Sequence, residues 1–256
     1  MLREIGSNFW YCLNDINDIN DLHSPTQFGC GGNDYAWLST GRSATRFILD
    51  TIERHHNTNK VVVLPPFTCH TVIEPFIERR YEIFAYNINK TFSASAEDII
   101  NVARKHRAGV ILFHRYFGFD TANNIDDMVE KARAEGIVTI EDCTQILYSS
   151  FRKSDSDYKV GSIRKWCGVP DGGFAVCRVG EFINKPKDID LQLQGAKSKA
   201  AMLKYDYIVN GIGEKRDFLD CFQNAENILD AQNRYYKISD LSARIQSNLN
   251  VDQMKQ

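Results

Sequence analysis

Between residues 61 and 140 the chain alternates short apolar runs with amphipathic helical patterns, and this alternation constrains the fold more than any other feature. Residues 61–64, 81–86, 109–113 and 138–140 read as buried strands, and 72–79, 96–106 and 125–134 as helices. Strands and helices of these lengths taken in turn build β-α-β units with right-handed crossovers, so a mostly parallel sheet is expected. Ligands of such sheets bind beyond the carboxyl ends of the strands. Three of those ends carry polar and aromatic side chains: P-P-F-T-C-H after 64, H-R-Y-F-G after 113 and E-D-C-T-Q after 140. Such groups are costly to bury for packing alone, so the three ends are expected to converge on a site.

Two further stretches bear on what that site could do. In S-T-G-R-S-A-T-R-F-I-L-D-T-I, positions Ala44, Phe47, Ile48 and Ile52 share one face, which starts a helix near Arg42 or Ser43. Ser39, Thr40, Gly41 and Ser43 stand at its start. Alone they read as an ordinary N-cap; beside a lysine and an acid they admit a phosphate. The second stretch runs from 138 to 173. Glu141 and Asp142 fall where the last strand ends, and Lys165 follows later, between Ser162 and the pair Gly172-Gly173. An acid at a strand end and a lysine on a later loop are what a pyridoxal phosphate site needs. The acid keeps the pyridine nitrogen protonated and the lysine forms the Schiff base.

The remainder sets bounds. The chain has 256 residues, 43% apolar and 25% charged, and a net charge of −2, which gives no electrostatic reason to expect nucleic acid or an anionic membrane as partner. No apolar run approaches the length of a membrane span, and the start lacks the apolar core of a signal peptide. Seven scattered cysteines without a C-x-x-C motif favour reduced cytoplasmic thiols over disulfides or zinc. Cys143 and Cys167 read as small buried hydrophobes, and His55-His56 as a solvated helix end without zinc partners. Residues 1–35 read as an irregular N-terminal arm. Its N-D-I-N-D-I-N-D lacks the glycine and glutamate of a calcium loop, and G-C-G-G-N-D at 29–34 reads as a turn. Residues 174–179 read as a strand of open direction, and 199–208, 215–233 and 239–249 as helices. His114 reads equally well as a core histidine or a site residue, and Tyr116 and Phe117 as core aromatics.

Taken in order and spacing, S-T-G-R-S-A, P-P-F-T-C, H-R-Y-F-G, E-D-C-T-Q, S-I-R-K-W and P-D-G-G resemble the DegT/StrS-type sugar aminotransferases, pyridoxal phosphate enzymes of fold type I. The resemblance spans roughly residues 4–250, and E-D-x-x-Q and S-x-R-K-W are its specific elements. It implies a three-layer α/β/α large domain over 36–190, followed by a helical C-terminal segment over 191–256. It also implies a homodimer acting in polysaccharide biosynthesis, with pyridoxal 5'-phosphate as cofactor, glutamate as donor and a nucleotide-linked keto-sugar as acceptor. Position by position, it makes Lys165 the Schiff-base lysine and Asp142 the partner of the pyridine nitrogen. Gln145 falls near the ring hydroxyl. Gly41, Arg42 and Ser43 cradle the phosphate, and Ser162 adds a hydroxyl. The family carries an aromatic where this chain has Cys69, so either Phe67 or His70 is expected to pack on the ring. Many family members space the serine and lysine more widely than Ser162 and Lys165, and they continue into a small C-terminal domain that is expected to be truncated or absent in this chain. A rival expectation follows: a protein that binds cofactor or nucleotide sugar without turnover. The lysine at 165 argues against the sugar dehydratases of the group, which carry histidine there.

Overall fold

The computed structural model describes residues 9–10 and 24–249. Seven strands form one sheet: β1 (Asp34–Leu38), β2 (Val61–Leu64), β3 (Glu82–Ala85), β5 (Val110–His114), β7 (Val138–Asp142), β8 (Tyr158–Ser162) and β9 (Gly173–Cys177). Their order is β1-β9-β8-β7-β5-β2-β3. Strands β8, β7, β5, β2 and β3 pair in parallel, while β9 is antiparallel to both β8 and β1. The direction that the sequence left open for 174–179 is therefore reversed. A two-stranded ribbon, β4 (Ala94–Ser95) with β6 (Ala122–Asn123), lies apart from the sheet.

The pleat sorts the core cleanly. Val62, Leu64, Val110, Leu112, Val138, Ile140, Tyr158, Val160, Ala175 and Cys177 all face one side, where they meet Ala44, Phe47, Ile48 and Ile52 of α1 (Gly41–His55). Helix α2 (His70–Glu78) adds Phe76 to the same layer. On the other side Val63, Ile111 and Phe113 meet Ile99, Ile100 and Ala103 of α3 (Ala96–His106) and Met128, Val129 and Ala132 of α4 (Ile125–Ala134). The result is the expected three-layer α/β/α arrangement. Helix α3 shows why these segments are helical. Ser95 caps its first turn by accepting from the Asp98 N–H, Glu97 and Asp98 sit at its positive end, and Arg104, Lys105 and His106 sit at its negative end.

Two strands of the seven-stranded sheet escape the sequence pattern, as do the short β4 and β6. Strand β8 reads Y-K-V-G-S, where Lys159 and Gly161 break the apolar run, yet all five residues are buried. Strand β1 begins at Asp34, inside the stretch read as an irregular arm. The acidic repeat at 14–21 lies outside the described residues. Further along, α5 (Leu191–Tyr205) starts eight residues before its expected position, because Asp190 caps it by accepting from the Leu193 N–H. Helix α6 (Lys215–Asp230) packs against it through Phe218, Phe222, Ala225 and Leu229. Helix α7 (Asp240–Ser247) is capped by Ser239, whose N–H and hydroxyl both reach the buried carboxylate of Asp171.

Candidate active site

The period of two that builds the core also builds a site. His114, Asp142 and Ser162 end β5, β7 and β8, and each continues the row of residues that faces α1. Parallel pairing sets His114 beside Asp142, and antiparallel pairing sets Ser162 beside Gly173. Helix α1 begins directly above them. A side chain on Gly173 would come within 2.4 Å of the Thr40 carbonyl carbon, so only glycine lets β9 pass that close to the helix start. Thr40 caps α1 by accepting from the Ser43 N–H at 3.0 Å, and the N–H groups of Gly41 and Arg42 have no helical acceptor, as at any helix start. A cleft of about 690 Å³ lies between, in the size range of small-molecule sites.

Of the residues singled out in the sequence, Gly41, Arg42, Cys69, Asp142, Gln145, Ser162 and Lys165 line this cleft. Three others are placed elsewhere. The Ser43 hydroxyl is buried in bonds with Ser39 and Thr40. Phe67 is 59% exposed and packs on Phe92 and Tyr116, and the exposed His70 opens α2 without lining the cleft. Arg42 lines the cleft, but its guanidinium is engaged by Glu74 and Asp230, both at 3.0 Å, and by the Leu229 carbonyl. That side chain ties α1 to α2 and α6.

Asp142 accepts from the Thr144 N–H through Oδ1, and among the described residues nothing bonds its Oδ2. Gln145 accepts from the Phe117 N–H at 2.8 Å through Oε1, which leaves its amide NH2 free to donate. The Ser162 N–H is held by the Thr144 hydroxyl at 3.1 Å. The Lys165 side chain is solvent-exposed in area, yet its amine is crowded enough for burial to lower its pKa, aided by the adjacent Arg164 charge. No ion pair or hydrogen bond holds it among the described residues. Glu226 of α6 pairs with Arg164 at 3.1 Å and with buried Lys197. Burial would raise the Glu226 carboxyl, but the two cations outweigh it and bring its pKa down to about 2. Lys197 falls to about 8, chiefly by burial and then by the Arg164 charge, because one carboxylate cannot satisfy both cations. Arg164, Trp166 and Glu226 also line the cleft, together with Thr68, Thr144 and His114. A run of residues gives little sign of Glu226, which reaches the site from a helix sixty residues downstream.

Two features of the cleft suit a phosphorylated pyridine. Both ring nitrogens of His114 are buried without a hydrogen-bond partner, so a polar ligand has a group to meet. The second is the start of α1, where Gly41 and Arg42 line the cleft beside Ser162 and bring first-turn N–H groups without helical acceptors to it.

No family model and no curated protein matches the chain. Solved structures do. The aminotransferase TlmJ of Streptoalloteichus hindustanus is 14% identical, with a TM-score of 0.52 over 89% of this chain and 55% of that one. A DegT DnrJ EryC1 StrS aminotransferase of Brucella abortus is 15% identical, with a TM-score of 0.50 over 90% and 55%. A Streptococcus pneumoniae protein described as a sugar aminotransferase, in its PLP form, is 18% identical, with a TM-score of 0.50 over 82% and 53%. The chain thus spans about half the length of the structures it matches. At these identities the likeness establishes the fold, which the chain shares with the fold-type I aminotransferases of the DegT/StrS kind.

Proposed function

We propose that the chain binds pyridoxal 5'-phosphate in this cleft and transfers an amino group from an amino acid, by preference glutamate, to a nucleotide-linked keto-sugar. One observation carries the reading: Lys165, the open oxygen of Asp142 and the start of α1 line a single cleft at the carboxyl ends of parallel strands. The cofactor, when bound, supplies the electron sink that makes a donor Cα–H acidic. The chain's own residues supply the rest. The first-turn N–H groups of α1 and the Ser162 hydroxyl bind the phosphate. Asp142 Oδ2 holds the proton on the ring nitrogen, and the Thr144 N–H on Oδ1 fixes the carboxylate's orientation. The Gln145 amide donates towards the ring hydroxyl. Lys165 would hold the cofactor through its amine, and as the basic group of the cleft it would take up and hand back the proton at the donor Cα. Its lowered pKa keeps more of the amine neutral near pH 7, as both roles require. Arg164, the Trp166 ring and Glu226 offer a hydroxyl-rich acceptor a cation, an apolar face and an acid.

In this reading, residues 36–190 form the cofactor-binding domain, and the helical segment over 191–256 closes one wall of the cleft through Glu226 and Leu229. The working unit is a homodimer. The six cysteines among the described residues are free thiols, which suits a cytoplasmic setting. Loading the protein with cofactor and adding glutamate alone tests the chemistry. Conversion to the amine form of the cofactor is expected, and Lys165→Ala should abolish it. A wild-type protein that holds cofactor but never converts it would be a binding protein, and the transaminase reading would fall.

A further inference from the structure

A second cavity, of about 340 Å³, lies near the start of β8, on the face of that strand turned away from the cleft. It is lined by Gly29, Gly32, Arg152, Lys153, Lys159 and Arg178, among others. Lys159 is the second residue of β8, and Arg178 directly follows antiparallel β9, so both stand where the parallel strands begin. The pleat sends Tyr158 and Val160 into the core beside α1 and Lys159 to the opposite face. There Lys159 is only 1% exposed, yet nothing among the described residues bonds or pairs with its amine. Glu141 stands beside it in register on β7, but that carboxylate is committed to Arg115 at 2.6 Å and to the N–H and hydroxyl of Ser154. The Glu141 charge attracts the Lys159 amine, but no acceptor bonds it, so an anion entering the cavity would supply the missing hydrogen-bond partner.

The surroundings fit such an ion. Lys153 is 4% exposed, and its amine donates to the Ser149 carbonyl at 2.9 Å. Arg152 and Arg178 both pair with Asp155, the one acid in the lining. Within the lining four cationic side chains face the one carboxylate, and Arg152 is also paired outside it with Asp126 at 2.6 Å. The wall opposite them is the glycine-rich turn at 29–33, for which the amino-transfer cleft has no use. A side chain at Gly32 would come within 2.4 Å of Val176 and 2.6 Å of the Cys177 carbonyl, so only glycine lets the turn run this close to β9 at the cavity wall.

We propose that this cavity binds a phosphate group, free or as the phosphomonoester end of a small molecule, with Lys159 and Lys153 as its charged contacts. Two lysines match a dianion, and a single carboxylate would leave one of them unmatched. The site is independent of the amino-transfer reading.

Hydrogen exchange of the full chain tests it, with inorganic phosphate titrated at constant ionic strength and peptides covering 39–46 read separately as the report of the cleft. Phosphate should slow exchange in peptides covering 28–34 and 152–160. Lys159→Met keeps the buried stem and removes the charge, and it should weaken that protection about tenfold or more. Arg178→Gln, on the half-exposed rim, should weaken it several-fold and serves if the first variant does not fold. AMP in place of phosphate identifies the source: protection by both marks a phosphomonoester site, protection by phosphate alone marks a free-anion site, and either upholds the proposal. No phosphate-dependent protection in the wild type, or protection unchanged in the folded variants, would overturn it.

Discussion

Glu141 and Asp142 follow each other on β7, and the pleat turns their carboxylates to opposite faces of the sheet. Their variants should separate in kind. Asp142→Asn keeps the shape but weakens the hold on a protonated ring nitrogen. The glutamate half-reaction should slow by roughly 10²–10³, with the urea midpoint little changed. Glu141→Gln leaves Arg115 buried without its full charge partner. It should cost about 3 kcal/mol in urea unfolding while leaving the cofactor spectrum as it was. Asp171 makes a third test, in pH. Burial raises its carboxyl to about 6, against the Ser239 and Ser242 hydrogen bonds and the Arg164 charge that favour ionisation. Between about pH 4 and 6 the folded state then holds this proton while the unfolded chain has lost it. Stability from this group is present at low pH and declines as pH rises through 6, by up to about 2–3 kcal/mol. Unfolding free energies measured at several pH values should show that decline in the wild type and not in Asp171→Asn.

Among the elements, α1 matters most, because its start forms one wall of the cleft and Gly173 lets β9 approach it. Gly173→Ala should push Thr40 and Gly41 away, lowering stability by about 1–3 kcal/mol and weakening cofactor affinity together. Alanine at Gly180, where a side chain would meet nothing within 4 Å, is the control and should leave both unchanged. The sequence showed most elements because their burial follows a regular period: α3, α4 and β2 have the bounds that periodicity suggests. It missed β8 because the strand buries a lysine and a glycine. Lys159 faces a cavity, and Gly161 makes room for the Phe174 ring, which a side chain there would meet at 2.4 Å. The site divided the same way. Asp142 and Lys165 stand out in the local pattern, Gln145 and Ser162 enter only through the family resemblance, and all four line the cleft. Glu226 could not be read there, since only the packing of α6 brings it to the cleft, and neither could the engagement of Arg42 by Glu74 and Asp230.

On the scale of the whole molecule, large apolar groups remain open beside the cleft. Phe67, Phe117 and Phe119 are 59%, 57% and 70% exposed, and Phe92 packs with two of them. A second copy of the chain would cover such a patch, and light scattering at micromolar concentration should report twice the mass of one chain. A strict monomer would remove the homodimer from the proposal. The central claim is the covalent chemistry of Lys165. The visible spectrum of the purified protein with added pyridoxal phosphate, recorded before and after borohydride and followed by peptide mapping, tests it most directly. A yellow species that bleaches on reduction and leaves the cofactor fixed to Lys165 is the expected result. A colourless protein, or a label fixed to another lysine, would contradict it.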